Sequence, residues 1–196
     1  MNKNLIASKE DLKCYLFQDR VALGKKNEKR PKVLGDEIWK FEIILRKLEY
    51  FTNATNSIYN KLCRMIYQYK FHRLSVKLGF SIPINVFGPG LSIAHYGTIV
   101  INGNAVVGCN CRIQENVTIG STGGSSKAPV IGNNVYIGSG AKIIGDICIA
   151  NNVCVGAGAV VVRSVSEDNS TVVGIPGRVV NTSNSNENLC QDLFTE

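Results

Sequence analysis

Residues 131–165 read IGNNVYIGSGAKIIGDICIANNVCVGAGAVVVRSV, with an aliphatic side chain at every sixth position: Ile131, Ile137, Ile143, Ile149, Val155 and Val161. Counting from Phe87, the same period runs through Ile93, Ile99, Ala105, Cys111 and Val117, and an eight-residue insertion at 123–130 separates the two runs. None of these twelve positions is charged. The fourth positions are Gly, Asn or Asp in nine of the twelve hexads, and those residues tolerate the positive φ of a chain corner. A helix repeats near 3.6 residues and a half-buried strand near 2, so neither explains a period of six. One inward aliphatic and one corner per hexad define a parallel β-helix of hexapeptide repeats. At three hexads per turn, the twelve hexads of 87–166 make four triangular coils, each advancing by about 4.8 Å.

The third positions of hexads three to six are Ile101, Val107, Ile113 and Ile119. On this count they form a second apolar row on an outer face or corner, which water would not leave bare. A neighbouring subunit or the N-terminal helices are expected to cover it, and the row is read as support for an oligomer. The inserted segment GGSSKAPV leaves the coil as a loop, and loops ejected from a repeat array carry function more often than stability.

Upstream, residues 1–80 read as a helical region. Ser8 with Asp11 forms a cap signal for a helix over 11–22, a second helix starts near Asp36, and Thr55 or Asn56 caps a third with Ile58, Leu62, Ile66 and Tyr69 on one face. The β-helix occupies 81–180, and 181–196 is a polar tail expected to be disordered. Charge is uneven: residues 1–80 hold 17 Lys or Arg against 8 Asp or Glu, and residues 81–196 hold 5 against 7. The basic part reads as solvated helix faces. Contact with a membrane surface is left open but not expected, and no nucleic-acid module accompanies the charge.

Seven cysteines without framework spacing suggest free thiols in a reducing cytoplasm. Cys109 and Cys111 form a CxC, but Cys111 falls on an inward position, so core packing is the expected role and no metal is expected.

Four segments, IAHYGTIV (93–100), VTIGSTGG (117–124), IGSGAKIIGDICIANNVCVGAGAVV (137–161) and VVGIPGRVV (172–180), resemble the serine acetyltransferase branch of the left-handed β-helix acyltransferases. The resemblance implies a left-handed solenoid, an exception to the usual right-handed crossover, assembled as a homotrimer with acetyl-CoA between subunits. It places the catalytic histidine at His95 and the pantetheine arm along Ser139, Gly140, Ala157 and Gly158, with Pro176 and Arg178 near the end of the cofactor. An alcohol needs its proton removed as it attacks a thioester, and an imidazole does this near neutral pH. Oxyanion donors are expected at the Gly-rich corner that includes Gly120 and Gly123. Gln114 and Glu115, one coil from His95, are candidate partners for it, and Tyr96, Gln114 and Lys127 are candidates for acceptor contact.

The family's carboxylates and its Arg-His pair for a free amino acid fall on Phe80, Ala94, Lys127 and Ala128. That departure points to a hydroxyl of a sugar in surface or capsular polysaccharide assembly. Serine O-acetylation for cysteine synthesis is the alternative, followed by a non-catalytic scaffold. A zinc-dependent hydratase needs three histidines, and the chain has two.

Overall fold

A computed structural model describes residues 5–55 and 57–194. Three helices, α1 (Lys9–Ala22), α2 (Glu37–Asn53) and α3 (Ile58–Leu78), precede a three-sided parallel β-helix. Strands are numbered in chain order. Face A stacks β1 (Phe80–Ser81), β3 (Ile99–Ile101), β6 (Thr118–Gly120), β9 (Lys142–Ile144) and β12 (Val160–Val161). Face B stacks β4 (Val106–Val107), β7 (Val130–Ile131) and β10 (Cys148–Ile149). Face C stacks β2 (Ser92–Ile93), β5 (Arg112–Ile113), β8 (Tyr136–Ile137), β11 (Cys154–Val155) and β13 (Thr171–Val173), and ends on an antiparallel strand, β14 (Arg178–Asn181).

The stacking register corrects the hexad count. Ile101 lies on Ile119 and Ile143, Val107 on Ile131, and Ile113 on Ile137. The row expected to need covering is therefore the inner wall itself, and all four of its residues are buried. Positions two apart in a strand face the same way, so Ala105/Val107, Cys111/Ile113 and Val117/Ile119 are inward pairs of one small or medium residue and one aliphatic. This row gives no support for an oligomer.

The eight-residue insertion divides in two. Ile119 and Ile131, successive inward residues, are twelve apart instead of six, which puts six extra residues in the loop between β6 and β7. The other two lie between Ile93 and Ile101, which are eight apart and stack on Ile113 and Ile119.

At the corner between faces B and C, Asn110, Asn134, Asn152 and Asn169 hold φ of 57°, 54°, 57° and 58°. Asparagine accepts this left-handed conformation more readily than other side chains. Their amides bond in a ladder at 2.8, 2.9 and 3.1 Å. The tail, expected to be disordered, packs against this part of the solenoid instead. Ser185 is buried, its N–H donates to the Asn152 carbonyl at 3.1 Å and its hydroxyl to that of Asn134, and Leu189 is buried beyond it. An Asn-rich segment has little to bury, but it matches a corner already rich in hydrogen-bonding groups.

Ser8 caps α1 in a full capping box with Asp11. Asp36 begins α2 without a side-chain cap bond; its carboxylate pairs with Lys25 and accepts the Lys32 N–H. Ser57, not Thr55, caps α3, and Asn56 lies outside the described residues. The packed face of α3 is a different one from the Ile58, Leu62, Ile66 and Tyr69 row. Tyr67 and Phe71 stack on Phe51 and Phe41 at 5.4 Å each, while Ile58, Leu62, Ile66 and Tyr69 are exposed.

The first coil has no coil above it, so its edge N–H and C=O groups need other partners. The helices supply them with charge. Arg46, fully buried, donates to the carbonyls of Phe87 (2.8 Å) and Gly88 (2.7 Å) and to Asp19 (2.7 Å) and Glu49 (3.0 Å). Asp19 accepts the N–H groups of Gly90 and Leu91, Glu49 that of Asn85, and Glu42 that of Ile93. These four ionisable side chains, on helices read as solvated, are the polar lid of the solenoid.

Glu42 keeps one oxygen, Oε2, without a partner, and burial, with Asp19 beside it, pushes its carboxyl well above the usual range. A carboxyl raised in the folded state contributes stability below its unfolded pKa and loses it as pH rises. Glu42→Gln keeps an acceptor for Ile93 and removes that titration. Its melting temperature is expected to gain on wild type as pH rises above about 4.5, and parallel curves across pH would show that Glu42 is not the group responsible.

Candidate functional site

The two residues added between Ile93 and Ile101 enlarge one corner, between faces C and A. Strand β2 delivers Ala94 to the corner, where its N–H donates to the Ile113 carbonyl at 3.0 Å, and His95 and Tyr96 then project outward, both exposed. Gly97 closes the turn at φ 136° and donates to the Leu78 carbonyl at 3.2 Å, which fastens the corner to the end of α3. That conformation favours glycine.

Glu115 packs directly against this turn. A Cβ on Gly97 would stand 3.0 Å from the Glu115 Cβ, so the carboxylate lies under the histidine's corner. Its Oε1 accepts from the Ser139 hydroxyl and its Oε2 is buried without a partner. The Ser139 hydrogen bond, its own backbone N–H and the nearby His95 charge hold the Glu115 carboxyl below its usual range.

The corner continues downward in register. The Gly140 N–H donates to the Glu115 carbonyl at 2.9 Å and the Gly158 N–H to the Ser139 carbonyl at 2.8 Å. Eight of the singled-out residues thus share one column: His95 and Tyr96, then Gln114 and Glu115, then Ser139 and Gly140, then Ala157 and Gly158. Below Glu115 the column carries nothing larger than a hydroxymethyl group, and a Cβ on Gly158 would meet nothing within 4 Å. From His95 to Ala157 is three coil steps, about 14 Å. A smooth strip of that length suits an extended, unbranched arm.

The other candidates lie elsewhere. Gly120, Gly123 and Lys127 belong to the far end of face A, one three-residue strand, or about 10 Å, from the column. Lys127 is held by Asp146 at 2.7 Å in an exposed ion pair. Pro176 and Arg178 are exposed in the β13–β14 hairpin at the C-terminal end of the stack, where the Gly177 N–H donates to the Val160 carbonyl at 2.7 Å. The larger surface depressions of the single chain run along α3, lined by Tyr69 and His72, whereas His95 stands on an open wall.

One residue at this corner escaped the sequence reading. Lys142, on the outside of β9, donates to the Asn116 carbonyl beside Glu115. The signal was present: its stacked neighbours on the outside of face A, Val100, Thr118 and Val160, are uncharged. Phe80, in the position of the family's orienting aspartate, is buried edge-on against Phe41 at 5.1 Å and belongs to the core.

Residues 128–163 match the family described as bacterial transferase hexapeptide (six repeats). A serine acetyltransferase of Synechococcus elongatus is 49% identical over 62 residues, which is 31% of this chain and 25% of that protein. The chain thus spans about a quarter of that relative's length. The crystal structure of serine acetyltransferase from Brucella abortus strain S19 aligns with a TM-score of 0.68 at 26% identity, over 90% of this chain and 72% of that one. The same enzyme in complex with coenzyme A aligns with a TM-score of 0.66 at 27% identity, over 89% and 70% of the two chains.

These matches overturn the expectation of a sugar acceptor in polysaccharide assembly, because relatives and structural neighbours alike are serine acetyltransferases. Missing clamp residues at Phe80, Ala94, Lys127 and Ala128 count against one way of holding serine and carry no information for another acceptor. With three helices leading into stacked hexapeptide coils and solved neighbours across nine-tenths of its length, the chain is a left-handed β-helix similar to the serine acetyltransferases.

Proposed function

We propose that the chain transfers the acetyl group of acetyl-CoA to the hydroxyl of serine, with His95 as general base. The observation that carries this is the enlarged corner, which sets the exposed imidazole above a carboxylate at the head of a strip of small residues. His95 takes the hydroxyl proton as the oxygen attacks the thioester carbonyl. The tetrahedral oxyanion then collapses, the C–S bond breaks, and the imidazolium returns the proton to the departing thiolate, leaving the acetyl ester and CoA. General-base assistance of this kind contributes about 10² to 10⁴ in rate.

Glu115, fixed by Ser139, orients the imidazole and stabilises its charged form. Gly140, Ala157 and Gly158 take the pantetheine arm, and Pro176 and Arg178 lie at its far end, where the guanidinium meets a phosphate. Tyr96 and Gln114 flank the acceptor. Lys142 supplies positive charge for the serine carboxylate in place of the absent clamp. An open wall needs a second wall, and a homotrimer provides it, with the Gly120, Gly123 and Lys127 loop of one copy facing the column of the next. Free thiols and an acetyl-CoA supply suit a cytoplasmic setting.

The test is thiol release from acetyl-CoA with and without L-serine, alongside a melt with CoA. Serine-dependent release and a raised melting temperature are expected, since a ligand of the native state stabilises it. A raised melt without serine-dependent release would reject the acceptor, and no rise would reject the acetyl-CoA site.

Glu115→Gln is expected to lower turnover about tenfold or more without weakening the CoA-induced shift, because a partner that orients a histidine typically contributes that much. The acidic limb of the turnover profile should move to lower pH in the variant, because the imidazolium loses the carboxylate that stabilises it. Unchanged turnover across pH would remove Glu115 from the mechanism.

A further inference from the structure

Helix α3 carries two apolar stripes, and only one is used. Tyr67, Phe71, Leu74 and Leu78 turn toward α2 and the solenoid. On the opposite side, Ile58, Leu62, Met65, Tyr69 and Val76 are 57–88% exposed. Their spacing of four, three, four and seven puts them on a single line along a helix about 31 Å long.

The charges beside that line are all of one sign. Helix α3 contains Lys61, Arg64, Lys70, Arg73 and Lys77 and no Asp or Glu, and the sequence holds no acidic residue between Glu49 and Glu115. Among the described residues, the ion pair made from α3 is Lys77 to Glu37, at 3.7 Å. Lys40 approaches the same carboxylate at 4.0 Å and holds the Val33 carbonyl at 2.7 Å, so the loop tip lies beside the C-terminal turn of α3. There Val33 and Leu34 are 91% and 87% exposed, following Lys29, Arg30 and Lys32.

We propose that this face, the outer side of α3 with the Val33–Leu34 tip, docks on the surface of an anionic lipid bilayer. A row of aliphatic and tyrosine side chains flanked by Lys and Arg is the composition of a helix lying in a membrane interface. Cationic clusters beside it gain from anionic headgroups. A second copy of α3 is a poor partner, because five cations would meet five with no acid between them. The face is also spread over a helix and a separate loop tip, which fits a flat surface better than a single partner helix. No helix among the described residues is long and apolar enough to cross a membrane, so the contact is peripheral. The inference is independent of the acyl-transfer reading.

Cosedimentation of the full chain with vesicles of phosphatidylcholine alone, and with one-third phosphatidylglycerol, tests it. Binding to the anionic vesicles is expected, weakened by salt, with little binding to the zwitterionic ones. Lys61→Glu combined with Arg73→Glu should lower partitioning at least about tenfold. Leu62→Gln combined with Tyr69→Gln should lower it similarly, with an unchanged melting temperature because both side chains are exposed. Equal binding to the two compositions, binding untouched by either pair, or no binding at all would overturn the proposal. So would a wild-type assembly that fails to bind vesicles and is reduced in size by Leu62→Gln/Tyr69→Gln in sedimentation equilibrium, since α3 would then be a contact between copies.

Discussion

His95→Ala is expected to lower acetyl transfer by about 10² to 10⁴ while leaving the melting temperature and the CoA-induced shift in place. The two halves of that result belong together. His95 is exposed, and its corner is held by backbone hydrogen bonds from Ala94 and Gly97 that an alanine keeps. On the proposed mechanism, loss of the imidazole removes the base without removing structure and leaves the proposed CoA strip from Ser139 to Gly158 intact. Wild-type turnover in the variant would rule out the base. A large fall in melting temperature would show that the histidine is a structural residue.

Arg46→Met is expected to destabilise the fold by about 3–5 kcal/mol, the usual consequence of removing one member of a buried ionic cluster. Methionine fills part of the volume but leaves Asp19 and Glu49 facing each other without a cation, and the Phe87 and Gly88 carbonyls without donors. It also removes the guanidinium 4.8 Å from the Tyr15 ring centre. The measurement is the urea midpoint and slope of the variant against wild type. A change below about 1 kcal/mol, the scale of an exposed ion pair, would mean that the helices do not depend on this cluster to close the solenoid.

The two variants probe different layers, and those layers differed in how far the sequence revealed them. The coil was legible because each inward residue repeats one environment, so the period survives even where the phase is misassigned. The phase was misassigned because two apolar positions per strand point inward, and a count that follows Ile99, Ala105 and Cys111 runs as smoothly as one that follows Ile101, Val107 and Ile113. Reading the second row as inward would have exposed the eight-residue step from Ile93 to Ile101. That irregularity marks the enlarged corner without reference to any other protein.

The pairing of Glu115 with Ser139 was not legible as a contact, because it depends on a coil length of 24 residues at that level, loop included. The lid was hidden for a related reason. Asp19, Glu42, Arg46 and Glu49 have the spacing of a solvated helix surface, and only the bare edge of the first coil explains why they are buried. The packed face of α3 was not legible either: two apolar stripes on one helix leave periodicity unable to say which one packs.

The acceptor was the least legible feature. Phe80 and Ala94 remove carboxylates that a serine site in this family is expected to use, yet the relatives are serine acetyltransferases. Lys142, beside the Glu115 corner, is the cation proposed above to take the place of that clamp.

The most direct test is a crystal structure of the chain with CoA. The account predicts the sulfur within about 4 Å of the His95 ring, the distance of groups poised to react, with the pantetheine arm along Ser139, Gly140, Ala157 and Gly158 and a second copy closing the far side. CoA bound away from that column, with the imidazole facing open solvent in the assembled protein, would contradict it.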